Sequence, residues 1–75
     1  MWSVADVDEI KEAYKSILQS FADSKGITYA YAIWLGESNL GLKAKDVRKL
    51  LIKLYYEGFW EWDKKMRIKL RRQYV

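Results

Sequence analysis

The spacing of the apolar residues changes once along this 75-residue chain, and the change falls at Gly58. Before Gly58, apolar residues recur at intervals of three and four, as they do on one face of an α-helix. After it, Met66, Ile68 and Leu70 alternate with charged residues, as in a β-strand with one buried face. This order of periods predicts helices followed by a short antiparallel hairpin.

The first predicted helix spans about residues 6–25. Its apolar stripe consists of Ile10, Ala13, Tyr14, Ile17, Leu18 and Phe21. Asp6 and Glu9 have the spacing of a capping box at its start, and Gly26 is a common helix stop.

Residues 27–36 fit two patterns, because their alternation suits a strand while Ala30, Ile33 and Trp34 have helical spacing. Thr28 as an N-cap and Gly36 as a terminator favour a short helix over about residues 28–36. We expect a brief extended pairing at residues 27–28 before it, and a turn over residues 37–41.

The third predicted helix covers about residues 43–57 and ends at Gly58. Its apolar stripe is Ala44, Val47, Leu50, Leu51, Leu54 and Tyr55, and the adjacent face carries Lys45, Arg48, Lys49 and Ile52. The hairpin is predicted over about residues 59–72, with residues 59–62 as one strand and residues 63–65 as the turn. A continuous helix over residues 59–74 is the competing interpretation, and the period of two argues against it.

The charge is divided unevenly between the two halves of the chain. Residues 1–37 carry three Lys and six acids, a net of −3, while residues 38–75 carry eleven Lys or Arg and four acids, a net of +7. A one-sided positive field is typical of a nucleic-acid-binding protein, although an acidic protein or an anionic membrane would also be attracted.

The composition excludes several kinds of chemistry. With no Cys and no His, the chain has neither a disulfide nor the usual zinc ligands, and it lacks the Cys nucleophile and His base of many hydrolases. We therefore predict that the protein is not an enzyme and that it binds neither a metal ion nor a cofactor. Charges interrupt every apolar run, and the N-terminus does not resemble a signal peptide, so we expect a cytoplasmic protein without a membrane partner.

Residues 40–62 resemble part of the winged helix-turn-helix family. They look like its recognition helix, the closing Leu54-x-x-x-Gly58-Phe59 step and the first wing strand. The resemblance covers nearly the whole chain and implies an α+β, mostly helical winged-helix domain over residues 1–75. Two features depart from the family pattern: the wing tip at residues 63–65 is short and lacks Gly, and the turn before the third helix is long.

The basic residues of the second half are the candidate nucleic-acid-binding residues. They are Lys43, Lys45, Arg48, Lys49 and Lys53 on the helix, and Lys64, Lys65, Arg67, Lys69, Arg71 and Arg72 on the hairpin. Arg48 is the candidate for reading a base edge, because a guanidinium pairs bidentately with guanine, and Lys45 and Lys49 are candidates for phosphate contacts. Both sets of cations also have a purely structural interpretation. The helix cations would form an ordinary solvated face, and the hairpin cations would keep an edge strand from pairing with another chain.

These features favour a small protein that binds double-stranded DNA and regulates transcription. The alternative is a winged-helix module for protein–protein interaction that serves as an accessory subunit of a larger complex. A complex that processes nucleic acid is included in this alternative. Trp60 and Trp62 are expected in core or dimer packing rather than in base stacking. A homodimer through an aromatic surface would use Tyr55 or Tyr56, together with one of Trp2, Tyr14 and Tyr74.

Overall fold

The computed structural model describes residues 4–22 and 25–72, with the backbone alone at residues 4–6. Three helices, α1 (Val4–Phe21), α2 (Tyr29–Leu40) and α3 (Ala44–Tyr56), precede two strands, β1 (Trp60–Trp62) and β2 (Ile68–Leu70). The strands pair antiparallel, so that Trp60 lies opposite Leu70 and Trp62 lies opposite Ile68. The predicted fold class is confirmed: the chain is mostly helical α+β with winged-helix topology.

Helix α1 contributes Tyr14 and Leu18 to the core, and both are fully buried. The Tyr14 hydroxyl donates a hydrogen bond of 2.7 Å to the carbonyl oxygen of Ala32 in α2, which satisfies its one buried polar group. Ala13 and Phe21 were predicted on the same stripe but are exposed. The buried stripe of α1 is therefore narrower than the sequence pattern.

The bounds of α1 differ from the prediction at both ends. The helix begins before Asp6, which therefore lies within its first turn rather than at the N-cap, and it ends four residues before the predicted end at residue 25. Gly26 has a φ of +78°, and a Cβ there would lie 2.6 Å from the carbonyl oxygen of Ile68. Gly26 thus permits the close bridge between Ile27 and Ile68, which confirms the predicted extended pairing.

Helix α2 starts where the sequence predicts and ends later. The side chain of Thr28 caps it by accepting a hydrogen bond from the backbone N–H of Tyr31 at 3.1 Å. The predicted stop at Gly36 and the predicted turn over residues 37–41 are both wrong, because the helix continues to Leu40 and ends at Gly41, whose φ is +67°. The loop between α2 and α3 is therefore only residues 41–43, and the predicted long turn is also wrong.

Gly36 is a packing residue rather than a stop. It is buried inside α2, and a Cβ at this position would lie 2.6 Å from Cγ1 of Val47 in α3. The absence of a side chain allows the two helices to approach closely. This contact brings α3 directly against α2.

Helix α3 turns its apolar side inward, as predicted. Its buried residues are Val47, Leu50, Leu51 and Leu54, whereas the predicted stripe residues Ala44 and Tyr55 are only partly buried and exposed, respectively. The indole N–H of Trp60 donates to the carbonyl oxygen of Leu51 at 2.9 Å. The start of the hairpin is thereby joined to the middle of α3.

The turn of the hairpin is longer than the sequence indicates. It spans residues 63–67 rather than 63–65, and Met66 has a φ of +60° and is exposed instead of half-buried in a strand. The carboxylate Oδ1 of Asp63 accepts from the backbone N–H groups of Lys65 and Arg67, both at 2.8 Å. A short acidic side chain that bonds the following backbone is a common way to hold such a turn.

Candidate nucleic-acid interface

The outer face of α3 is basic. Because Val47, Leu50 and Leu54 face the core, the residues between them face outward. The exposed cations of α3 and its N-cap are Lys43, Lys45, Arg48, Lys49 and Lys53. None of these five side chains makes a hydrogen bond or ion pair with another described residue. No acidic side chain of the described residues is therefore paired with these five cations.

The cations of α3 divide between two flanks of the helix. Lys49 and Lys53 line a groove of about 280 Å³ against α1, where they are joined by Asp46. Arg48 lies on the other flank, one turn before Ile52, on the side of the hairpin. The structure thus separates Lys53 from Arg48, although the sequence groups them on one helix.

A second groove lies between α3, the start of α2 and strand β1, and we call it the aromatic groove. It has a volume of about 410 Å³ and is lined by Tyr29, Leu51, Ile52, Tyr55, Tyr56, Trp60 and Trp62. Trp60 is 3% exposed, which confirms its expected place in the core, whereas Trp62 is 40% exposed. Trp62 meets Trp60 edge to face, with ring centroids 5.0 Å apart. Trp62 is thus a partly open aromatic side chain at the edge of the groove, in contact with the buried Trp60.

The end of the hairpin forms a shallow concave surface, which we call the tip basin. Its lining residues are Lys25, Glu61, Trp62, Asp63, Lys64, Lys65, Arg67 and Lys69. Five cations face two acids here, so the basin is net positive. Lys25 was not predicted as a site residue. It reaches the basin because the bridge between Ile27 and Ile68 ties this part of the chain to β2, and no local sequence signal reports that contact.

Arg67 holds the hairpin rather than standing on its outer face as predicted. Its Nη2 donates to the carbonyl oxygen of Gly26 at 3.3 Å, and its Nε is buried without a partner among the described residues. The bridge between Ile27 and Ile68 brings Gly26 next to Arg67, which lies just before the paired strand. One of the predicted binding residues, Arg67, therefore makes a hydrogen bond within the fold.

The remaining hairpin cations differ in whether they lie near the acidic residue Glu61. Nη1 of Arg71 lies 3.7 Å from Oε1 of Glu61, and Lys69 is the register partner of Glu61 across the sheet. Lys64, Lys65 and Arg72 are exposed. Glu61 thus offsets part of the positive charge on this face.

Among the residues that the structure describes, two ionisable groups outside the core have shifted pKa values. The backbone N–H of Arg67 lowers the pKa of Asp63, and the N–H of Lys65 and the nearby cations add to this effect. The carboxylate of Glu57, 2.7 Å from Nζ of Lys11, raises the pKa of that lysine. The first interaction holds the hairpin turn, and the second ties α1 to the end of α3.

The described residues offer no cluster of metal-ligating side chains, and the buried Tyr14 is engaged in the core. Burial raises the pKa of Tyr14 far above its usual range, but its hydroxyl is engaged with α2 in the core. No group of three or more acidic, His or Cys side chains that could hold a metal is found in residues 4–22 and 25–72. Because Tyr14 is fully buried, it is not available for the predicted dimer contact, and Trp2 and Tyr74 lie outside the described residues.

A comparison of the chain with protein-family models, curated proteins and solved structures finds no match in any of the three. Within the described part of the chain, no helix has the length and apolar character needed to cross a membrane.

Proposed function

We propose that this protein binds double-stranded DNA as a winged-helix protein and acts as a transcription regulator or a similar site-specific binder. Helix α3 enters the major groove, Arg48 reads a base edge, and Lys45 and Lys49 contact phosphates. Lys64 and Lys65 at the hairpin tip contact the neighbouring backbone.

One observation carries the proposal most directly. The five cations of α3 and its N-cap have no internal partner among the described residues, and α3 is held by buried contacts on its opposite side. A fixed helix with free cations needs little reorganisation to meet a row of phosphates. The three-residue loop between α2 and α3 agrees with a compact helix-turn-helix.

The direct test is fluorescence anisotropy of a labelled random-sequence duplex, titrated with the protein at low and high salt. We expect micromolar or tighter binding at low salt that is lost steeply as salt rises, because phosphate contacts release counterions. Absence of binding at low salt would contradict the proposal.

A second function is favoured by a different surface. On α2, Tyr31 and Trp34 are stacked with ring centroids 5.8 Å apart, and they are 38% and 54% exposed. Exposed aromatic residues are enriched in protein interfaces, so this pair suits a module that docks on a larger protein. Salt separates the two functions, since an aromatic contact weakens little with salt.

A further inference from the structure

We propose that the aromatic groove takes an unpaired base of a DNA strand that leaves the duplex, with Trp62 as the stacking surface. This inference rests on the proposed binding of DNA. It adds a preference for DNA with a single-stranded end or an unpaired nucleotide next to the bound duplex.

The groove has the composition of a base-stacking site. Its lining includes five aromatic side chains, and its volume of about 410 Å³ falls in the roughly 300–1,000 Å³ typical of small-molecule sites. Every base has a flat π-face, so aromatic side chains stack on bases without requiring a particular sequence. Trp62 is suited to this role because its ring packs against Trp60 and is still 40% exposed.

The charge around the groove identifies a nucleotide as the occupant rather than a second copy of the chain. Trp62 also lines the tip basin, where five cations outnumber two acids. On the opposite side, the groove includes Ile52, which lies one turn beyond Arg48 on α3, and Arg48 makes no ion pair with another described residue. A strand with its base on Trp62 would therefore have cations for the phosphates on both sides, whereas a second copy that used this same surface in a symmetric dimer would bring positive charge against it.

The test measures the affinity of the protein for three DNA probes. The first is a blunt duplex, the second is the same duplex with a short single-stranded tail, and the third carries a tail of abasic nucleotides with the same charge. We expect the tailed duplex to bind roughly fivefold to a hundredfold more tightly than the other two, the range that stacking of one base supports. Equal affinity for the normal and the abasic tail would overturn the inference.

Two variants locate the effect. Trp62→Ala should abolish the advantage of the tailed duplex, and Trp34→Ala is the matched control, because Trp34 is an exposed tryptophan that does not line the groove. Tyr56→Ala is the second groove variant. Its side chain is 82% exposed, so its removal should reduce the advantage without affecting folding. Retention of the full advantage in both groove variants would overturn the inference.

The outcomes separate this inference from the proposed function. Steep salt-dependent binding of the blunt duplex, with no gain from the tail, would retain duplex binding and reject the base site. No binding of any probe would reject both. Self-association that is lost in Trp62→Ala, measured by sedimentation without DNA, would show that a second copy occupies the groove and would overturn the inference.

Discussion

Helix α3 and the hairpin both carry basic residues, but they are held in place by different means. Helix α3 is positioned by four buried apolar residues and by the contact of Val47 with Gly36, and its cations make no ion pair with the described residues. The hairpin has strands of only three residues each and uses charged side chains, Asp63 and Arg67 among them, to maintain its turn. A count of basic residues therefore overstates the charge that the hairpin offers to a ligand, while it is accurate for α3.

The largest expected effect concerns the packing of α3 against α2. Replacing Gly36 with Ala places a methyl group 2.6 Å from Cγ1 of Val47, which should lower the free energy of unfolding by about 3 kcal/mol despite the better helix propensity of Ala. Gly41→Ala is the control, because nothing lies within 4 Å of its Cβ and only its φ of +67° is unfavourable. It should cost about 1 kcal/mol.

Urea unfolding of the two glycine variants measures this difference. Equal stability of Gly36→Ala and Gly41→Ala would show that α2 and α3 do not pack closely at this point.

The next effect concerns sequence recognition by α3. Arg48→Ala should weaken binding to a preferred duplex by about 1–3 kcal/mol and relax the preference at one base position, because a bidentate base contact is lost. Lys64→Ala at the hairpin tip should weaken all duplexes alike. Binding to a randomised duplex library, followed by sequencing of the bound fraction, distinguishes the two. If Arg48→Ala weakened preferred and random duplexes equally, Arg48 would not read a base.

A smaller effect concerns the stability of the hairpin. Arg67→Ala removes the hydrogen bond to the carbonyl oxygen of Gly26, so we expect a loss of about 1 kcal/mol in the free energy of unfolding. Lys64→Ala, which removes an exposed cation of the same turn, should stay within about 0.5 kcal/mol of the wild type. Equal unfolding midpoints for the two variants would contradict the structural role of Arg67.

The smallest expected effect is local and depends on pH. Because the pKa of Asp63 in the folded protein lies below its ordinary value of 3.8, its contribution is present above that value and is lost as the pH falls through the lower folded pKa. The amide resonances of Lys65 and Arg67 should therefore shift in strongly acidic solution. Asp63→Asn keeps an acceptor oxygen but cannot titrate, so the same resonances should not follow this transition. A transition that persists in Asp63→Asn would assign the titration to another group.

The sequence predicts the fold well where one period governs a long segment. Helices α1 and α3 and the alternation in β2 follow from the spacing of apolar residues alone. The end of α2 does not follow from this spacing, because Gly36 and Gly41 are both credible helix stops. Only the contact with Val47 explains why Gly36 lies inside the helix.

The candidate site shows the same division between local and long-range signals. The exposed positions of the α3 cations are predicted correctly, since a regular helix fixes which side each residue faces. Arg67 and Lys25 are not, because their positions depend on the length of the hairpin turn and on the bridge between Ile27 and Ile68. Contacts between distant segments leave no periodic trace in a single sequence.

The most direct test of the account is the salt dependence of duplex binding, compared between wild type, Lys45→Ala/Lys49→Ala and Arg71→Gln. With about six to eight phosphates neutralised, the logarithm of the association constant should fall against the logarithm of salt concentration with a slope of about −5 to −7. The double variant should be less steep by about 2, while Arg71→Gln, whose guanidinium faces Glu61, should change the slope less. If the double variant had the same slope as the wild type, the claim that Lys45 and Lys49 of α3 contact phosphates would be contradicted.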